Sequence, residues 1–217
     1  MRRTPLASGI VVALAASLAL VACAATPTGA GSDAPQPPAS ADPAADLGTL
    51  PEAIPLGEVI GQGTVIDRGD GPELCLGAIA ESYPPQCSGP AIDGWDWSTI
   101  DGWEESSGSR WGSYAVQGTF DGTRFAVTSP PIMLALYDPM PVSEEPLAPG
   151  TTDEAVLDEI QQLLWDPLGD RWLGSFPEDG RLELFVLYDD GSLQEHLDGV
   201  YGTDVVHVRS ALVDVTR

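Results

Sequence analysis

The sequence contains no lysine, and its basic side chains are 9 arginines and 2 histidines. Against them stand 33 carboxylates, which give the chain a formal net charge of −24. Proteins bind phosphate backbones through clustered lysine and arginine side chains, so a surface this acidic repels nucleic acid and anionic lipid headgroups. The composition therefore excludes nucleic acid as a partner.

Motifs that carry catalysis are missing as well. The sequence has no Gly-x-Ser-x-Gly elbow, no Ser-x-x-Lys pair, no His-Glu-x-x-His and no glycine-rich phosphate loop. His196 falls in a helical pattern and His207 in a strand pattern, which explains both structurally. We expect no catalytic residue, no metal and no cofactor, and a role that is not enzymatic. A carboxylate pair of the glycosidase kind leaves an enzyme acting on cell-wall glycans as an alternative.

Only 3 cysteines occur, and the first of them, Cys23, follows a segment with the layout of an export signal. Arg2 and Arg3 precede an apolar run from about Leu6 to Ala22. This run is short for a bilayer span, which needs roughly 20 apolar residues. The general secretion route fits better than twin-arginine export, because the rest of the twin-arginine motif is absent.

The residues Leu20-Val-Ala-Cys23 resemble the lipobox of bacterial lipoproteins. In that motif small residues precede a cysteine that is diacylated at sulfur and becomes the first residue after cleavage. The resemblance implies a signal peptide over 1–22, lipidation of Cys23, and an anchor in the outer face of the cytoplasmic membrane. Loss of Arg2 and Arg3 with the signal would take the net charge from −24 to −26.

Composition divides the rest of the chain. Residues 23–56 are rich in proline, alanine, serine and threonine and have no aromatic side chain, so we predict a disordered tether. Four prolines and two glutamates mark 138–150 as a connector. On either side of it we predict a β-rich module, 57–137, and an α/β module, 151–217.

Antiparallel β structure is predicted for most of the first module. Asp121-Gly122 lies between two segments rich in β-branched and aromatic residues and is the strongest hairpin signal in the chain. The predicted strands are 57–66, 73–79, 114–120, 123–128 and 132–137. Together they favour a small, partly closed barrel.

The second module is predicted to run helix, strand, strand, helix, strand. Thr151-Thr-Asp-Glu154 and Ser192-Leu-Gln-Glu195 have the form of capping boxes, and Asp166-Pro167 should end the first helix. The predicted strands are 172–176, 182–188 and 205–215. This order favours an α/β sandwich with its helices on one face of a small sheet, and so an α+β fold class.

The stretch from Glu73 to Trp111 holds the other two cysteines, Cys75 and Cys87, in a loop too rich in glycine and proline to be helical. The exported chain reaches an oxidising compartment with Cys23 already occupied, so we predict a disulfide between them. A metal pair is the alternative, but it lacks nearby histidines. Closing the loop should stabilise the fold by about 3 kcal/mol.

Four tryptophans alternate with carboxylates along the same stretch: Trp95, Trp97, Trp103 and Trp111. Tryptophan faces stack on sugar rings and on cationic groups, so these side chains are candidate ligand-binding residues for a protein or glycan. The alternative is structural, and we expect at least two of the rings to plug the end of the barrel.

Two stretches carry a family resemblance. The run Cys75-Leu-Gly, Pro84-Pro-Gln-Cys-Ser-Gly-Pro, Gly94-Trp-Asp-Trp97 and Arg110-Trp-Gly resembles a segment of uncharacterised actinobacterial lipoproteins, which implies export, lipidation and a disulfide-closed β-rich unit. Leu168-Gly-Asp-Arg-Trp with Arg181-Leu-Glu-Leu-Phe-Val more faintly resembles the propeptides of secreted serine proteases, which implies an inhibitor or chaperone as an alternative. We expect a surface-tethered lipoprotein that acts as a binding or interaction module.

Overall fold

Strands outnumber helices in the computed structural model, which describes residues 41–138 and 147–215. The first part of the chain forms β1 (Val59–Asp67), β2 (Pro72–Cys75), β3 (Ala91–Asp93), β4 (Glu104–Ser106), β5 (Ser109–Phe120), β6 (Arg124–Val127) and β7 (Ile132–Met133). The second part forms α1 (Glu154–Leu168), β8 (Trp172–Glu178), β9 (Arg181–Val186), α2 (Ser192–Tyr201), β10 (Val206–Ser210) and β11 (Leu212–Asp214). Short 3-10 turns lie at Trp97–Thr99, Leu134–Leu136 and Gly169–Arg171. The predicted α+β fold class is confirmed.

Five strands close into a barrel. Around the ring they follow the order β1, β2, β3, β6, β5 and back to β1. The β3–β6 pair is parallel and the other ring pairs are antiparallel. Outside the ring, β4 and β7 pair with β5, and β11 pairs with β1. The ring is a closed five-stranded barrel with additional strands, and it confirms the predicted barrel.

Glycine makes the interior of this barrel possible. β1 and β5 are neighbouring strands in the barrel wall, and on their inward face a large side chain lies opposite a glycine in four cross-strand pairs: Val59 and Gly118, Val116 and Gly61, Tyr114 and Gly63, Val65 and Gly112. A methyl group on Gly63 would lie 2.2 Å from the carbonyl oxygen of Cys75, and one on Gly112 would lie 2.5 Å from the hydroxyl of Tyr114. The core is filled to the point at which even alanine does not fit.

The remaining strands form a second sheet in the order β10, β9, β8, with β10 parallel and β8 antiparallel to β9. Both helices cover one face of it. Alternate residues of β9 share a buried cluster with the apolar stripes of α1 and α2: Leu157, Ile160, Leu164, Leu182, Leu184, Val186, Leu193, Leu197 and Tyr201. The predicted sandwich with its helices on one face is therefore confirmed.

Neither helix begins with the predicted capping box. The residue before α1 is Asp153, and its side chain makes no capping hydrogen bond. At the start of α2 the carboxylate of Asp189 accepts hydrogen bonds from the amides of Leu193 and Gln194, at 2.9 and 3.3 Å. Asp189 thus supplies the acceptor. The predicted capping box had given this role to the hydroxyl of Ser192.

The end of α1 also differs from the prediction, because the helix includes Pro167 and continues to Leu168. A proline removes one backbone hydrogen bond and is costly in the middle of a helix. Here only one residue follows it, so little of the helix depends on the missing bond. Gly169, with φ of 51°, then ends the helix, and its amide donates to the carbonyl oxygen of Trp165.

Three predicted strands have different limits in the structure. The strand predicted at 73–79 ends at Cys75, where the disulfide loop begins, and the strand at 132–137 becomes β7 followed by a 3-10 turn. The single strand predicted at 205–215 is divided at Ala211, so that β10 belongs to the second sheet and β11 to the first. The amide of Ala211 bonds to Val186, and Leu212 in β11 is fully buried in the barrel cluster.

Because β11 follows β10 of the second sheet but pairs with β1 of the barrel, it links the two predicted modules. Both modules lie within one compact unit, Ala39–Arg217. The end of the predicted tether belongs to the same unit. Leu50 is buried among the side chains of α1 and α2, and the carbonyl oxygen of Leu47 lies 2.7 Å from Nε2 of His196. Residues 41–51 therefore pack against the second sheet and its helices, whereas Ile54 lies beside Gly122 of the barrel. The signal, Cys23, the earlier part of the tether and most of the connector lie outside the described residues.

Candidate functional site

Cys75 and Cys87 form the predicted disulfide, and their Cα atoms are 5.9 Å apart. Cys75 is buried with Ile66 and Trp111 on the outer face of the barrel wall. Arg68, in the turn after β1, donates a hydrogen bond of 2.5 Å to the carbonyl oxygen of Cys87. The loop that the disulfide closes is thereby fixed against the outside of β1 and β5.

Trp111 is a structural residue beneath this loop. It is 8% exposed, and it pairs with no other tryptophan. The ring of Tyr83, from the disulfide loop, meets it edge to face with 5.0 Å between the ring centres. Such pairs add to the stability that burial alone provides.

Trp97 closes one end of the barrel. It is 8% exposed and belongs to the barrel cluster. Its indole Nε1 donates to Oδ2 of Asp67, the last residue of β1, over 3.4 Å. This position makes Trp97 part of the fold, with no free face for a ligand.

Trp95 lies half-buried behind Trp97. Its ring centre is 5.2 Å from that of Trp97 and 5.2 Å from that of Tyr114, so it meets two aromatic rings within the barrel cluster. Its Nε1 is buried and has no hydrogen-bond partner within the residues described. The hydroxyl of Tyr114 donates instead to the carbonyl oxygen of Asp101 at 3.0 Å, which holds the tryptophan loop on the barrel.

Trp103 is the tryptophan of the four that remains exposed, at 38%. The guanidinium of Arg110 lies over one side of its ring, 5.3 Å from the ring centre. The ring of Trp97 supports it from below at 6.2 Å. Nε of Arg110 also donates to Oε2 of Glu105 at 2.7 Å, so ring, cation and carboxylate form one group at the barrel end.

The β4–β5 hairpin arranges these side chains on two faces. Glu105 is paired with Arg110 and Glu104 with Trp111, and neighbours along a strand point to opposite faces. On the second face the hydroxyl of Tyr83 donates to Oε2 of Glu104 at 3.2 Å. We define the hairpin patch as the five exposed side chains that flank this hairpin, with Trp103, Glu105 and Arg110 on one face and Tyr83 and Glu104 on the other.

The polar and charged groups of the hairpin patch are held only by exposed contacts, which a ligand can replace. The hydrogen bond from Tyr83 to Glu104 raises the pKa of Tyr83, so the phenol stays a neutral donor. The side chains of Arg110 and Glu105 are 47% and 48% exposed, and an ion pair in that much water contributes little stability. Either group can therefore exchange its partner for a ligand at small cost.

Sequence reasoning found Trp103 but missed Tyr83 and Arg110. The missed signal is Ser107-Gly108, whose positive φ angles of 52° and 79° are those of a two-residue hairpin turn. Recognition of that turn would have placed Arg110 beside Trp103. The four tryptophans do not form one platform, since two are buried and a third is half-buried.

No group of three or more His, Cys, Asp or Glu side chains is placed to hold a metal ion within 41–138 and 147–215. Over the same ranges no helix has the length and apolar character needed to cross a bilayer.

Comparison with known proteins gives no match: no family model, no curated protein and no solved structure matches this chain. The resemblances to lipoproteins and to protease propeptides therefore remain expectations.

Proposed function

We propose that this chain is a binding protein, anchored through Cys23 at the outer face of the cytoplasmic membrane, that captures a protein partner on the hairpin patch. One observation carries the proposal. Tyr83 is 69% exposed and Trp103 is 38% exposed, although the barrel end and its outer wall are already filled by Trp97 and Trp111. Two large rings are thus held in solvent by a disulfide-closed loop and a hairpin.

The residue types of the patch support a protein partner. Tryptophan, tyrosine and arginine are the side chains most enriched among residues that dominate binding energy at protein interfaces. Aromatic rings lose little conformational entropy on binding, and those of Trp103 and Tyr83 are each supported by a second ring. The patch is therefore organised before any partner arrives.

Charge indicates what kind of partner surface fits. Glu104 and Glu105 lie within the patch, Asp67 lies beside it under Trp97, and the whole chain carries a formal charge of −24. Such a field accelerates association with a basic surface and disfavours an acidic one. The partner on this proposal is a protein with exposed arginine or lysine side chains around an apolar pocket.

The test is affinity capture from the cell envelope with the full chain and three variants. Trp103→Ala and Tyr83→Ala should each reduce recovery of the partner by about tenfold or more, as loss of an interface hot spot does. Trp165→Ala is the matched control, because Trp165 is also exposed, at 60%, but lies on α1. Equal recovery with all variants would contradict the proposal.

A second arm separates a protein from a glycan. Glu104→Gln combined with Glu105→Gln should slow association with a basic protein and reduce its dependence on salt. A neutral glycan stacked on Trp103 would bind the double variant as before and show little dependence on salt. That outcome would replace the protein partner with a sugar.

The anchor has its own test. Cys23→Ser should leave an unprocessed precursor in the membrane or release the protein to the medium. If the variant is cleaved and retained as the unmodified chain is, Cys23 does not carry the anchor.

A further inference from the structure

Within the described residues, Arg181 is a buried cation without a carboxylate partner. It begins β9 and is 3% exposed. One nitrogen, Nη2, donates to the carbonyl oxygen of Ala148, while Nε is buried and has no hydrogen-bond partner in the described part of the chain. None of the ion pairs among those residues includes Arg181. A buried charge without a counter-ion lowers the stability of the folded protein. A bound ligand that supplies a negative charge would remove this loss.

The nearest acid along the strand is already occupied. Glu183 lies on the same face of β9, two positions from Arg181, and is itself buried. Its Oε2 lies 3.0 Å from Nδ1 of His207 and 3.7 Å from Nη1 of Arg209. Two cationic or donor groups therefore share this carboxylate, which leaves Arg181 to another anion.

Arg181 lines a cavity of about 500 Å³ between the free side of β10 and α2. Small-molecule sites in proteins commonly enclose about 300–1,000 Å³. The lining residues that matter for the argument are Arg181, Gln194, Asp198, Asp204, Val206 and His207. The cavity thus offers a buried cation at one place and carboxylates at others.

Gln194 closes the strand edge that borders this cavity. Its amide accepts from the backbone nitrogen of Val208 at 2.8 Å and donates to the carbonyl oxygen of Val206 at 2.9 Å. The same amide nitrogen donates to Oδ1 of Asp198 at 2.9 Å. A side chain therefore occupies the backbone groups that an added strand would need, and this favours a small ligand over an extended peptide.

We propose that the cavity binds a zwitterion of the amino-acid class, a free amino acid or short peptide, with its carboxylate on the Arg181 guanidinium and its ammonium group among Asp198 and Asp204. A simple anion would meet the Arg181 charge but also the surrounding aspartates. A simple cation would meet the aspartates but leave Arg181 unpaired. A ligand with both charges satisfies both sets of groups, and each charged hydrogen bond is stronger than a neutral one. This proposal is independent of the hairpin patch.

The test uses the full chain in detergent solution and three related probes in isothermal titration. L-alanyl-L-alanine has both charges, N-acetyl-L-alanine has only the carboxylate, and L-alaninamide has only the ammonium group. The dipeptide should bind at least about tenfold more tightly than either half-charged probe, because L-alaninamide leaves the buried Arg181 unpaired and N-acetyl-L-alanine loses the contacts with Asp198 and Asp204. Equal binding of N-acetyl-L-alanine, or no binding of any probe at 10 mM, would overturn the proposal.

Two variants assign the contacts. Arg181→Met keeps the bulk of the side chain and should abolish binding of the dipeptide, while the melting temperature without ligand stays equal or rises because an unpaired buried charge is gone. Asp198→Asn should weaken binding of the dipeptide but not of N-acetyl-L-alanine, and it guards against a folding defect in the first variant. Glu159→Gln, on the exposed side of α1, is the control and should change nothing. Undiminished dipeptide binding by both cavity variants would overturn the assignment.

Discussion

The barrel and the three-stranded layer fill their interiors by opposite means. The barrel sets a glycine beside a large side chain at four positions of the β1–β5 pair, so that backbone and side chains meet closely there. The layer buries one face of its sheet under α1 and α2 and keeps charged side chains, Arg181 and Glu183, among its buried residues. A filled barrel can offer a ligand only its rim, whereas the layer retains a polar cavity. Accordingly, the hairpin patch lies on the outside of the barrel, and the proposed zwitterion site lies in the cavity beside β10.

The largest expected effect tests how tightly the barrel is filled. Gly63→Ala places a methyl group 2.2 Å from the carbonyl oxygen of Cys75. Cys75 belongs to β2 of the closed barrel and to the disulfide, so this part of the backbone cannot shift easily. We expect a loss of more than about 4 kcal/mol, beyond what most single substitutions cost. Gly174→Ala, in β8 of the layer, meets no atom within 4 Å and should cost less than about 1 kcal/mol. Urea unfolding of both variants measures the difference, and equal losses would show that the two regions are filled alike.

The next effect separates fold from site within the tryptophan loop. Trp97→Ala removes the side chain that closes the barrel end and should cost about 3–5 kcal/mol. Trp103→Ala removes a ring that is already 38% exposed and should cost about 1 kcal/mol or less. Melting temperatures of the two variants check this order. A large loss at Trp103 as well would make the hairpin patch part of the core and remove the basis of the proposed function.

Local signals in the sequence were sufficient for much of the fold. Asp121-Gly122 marked the hairpin between β5 and β6, where the carboxylate of Asp121 accepts from the amides of Thr123 and Arg124. The apolar stripe of α2 was predictable from helical spacing, and its members Leu193, Leu197 and Tyr201 are buried. In both cases the information lies within a few residues of the feature.

What the sequence could not show depends on partners far along the chain. The pairing of β11 with β1 joins residues from the two ends of the described chain, and no local pattern in 205–215 distinguishes it from β10. The position of Arg181 depends likewise on Ala148, whose carbonyl oxygen accepts a hydrogen bond from it. Arg110 was missed for a local reason. The Ser107-Gly108 turn, which places Arg110 beside Trp103, was not recognised in the sequence.

A third prediction asks whether the two regions lose stability together. Cys75→Ala combined with Cys87→Ala opens a loop with a sequence separation of 12 and should lower the free energy of unfolding by about 3 kcal/mol. Because the loop covers β1 and β5, amide exchange should rise most in those strands. Hydrogen exchange of the double variant measures this. An equal rise in β9 would mean that the barrel and the layer open as one cooperative unit, since β11 couples them.

The smallest expected effect is a pH dependence that arises in the barrel. Hydrogen bonds from the amides of Arg124 and Thr123 hold the pKa of Asp121 below its ordinary value of 3.8. A carboxyl group with a lowered pKa in the folded state adds stability above its ordinary pKa, and the contribution is lost as the pH falls through the lowered value. Asp121→Asn keeps an acceptor oxygen in the turn but removes the charge. It should therefore reduce the melting temperature at about pH 7 and reduce it less once the pH has fallen below the lowered pKa, where the native aspartate is protonated too. Glu159→Gln in the layer should change the melting temperature little at either pH. If the loss at Asp121 is the same at both pH values, the shape of the turn, and not the carboxylate charge, stabilises the hairpin.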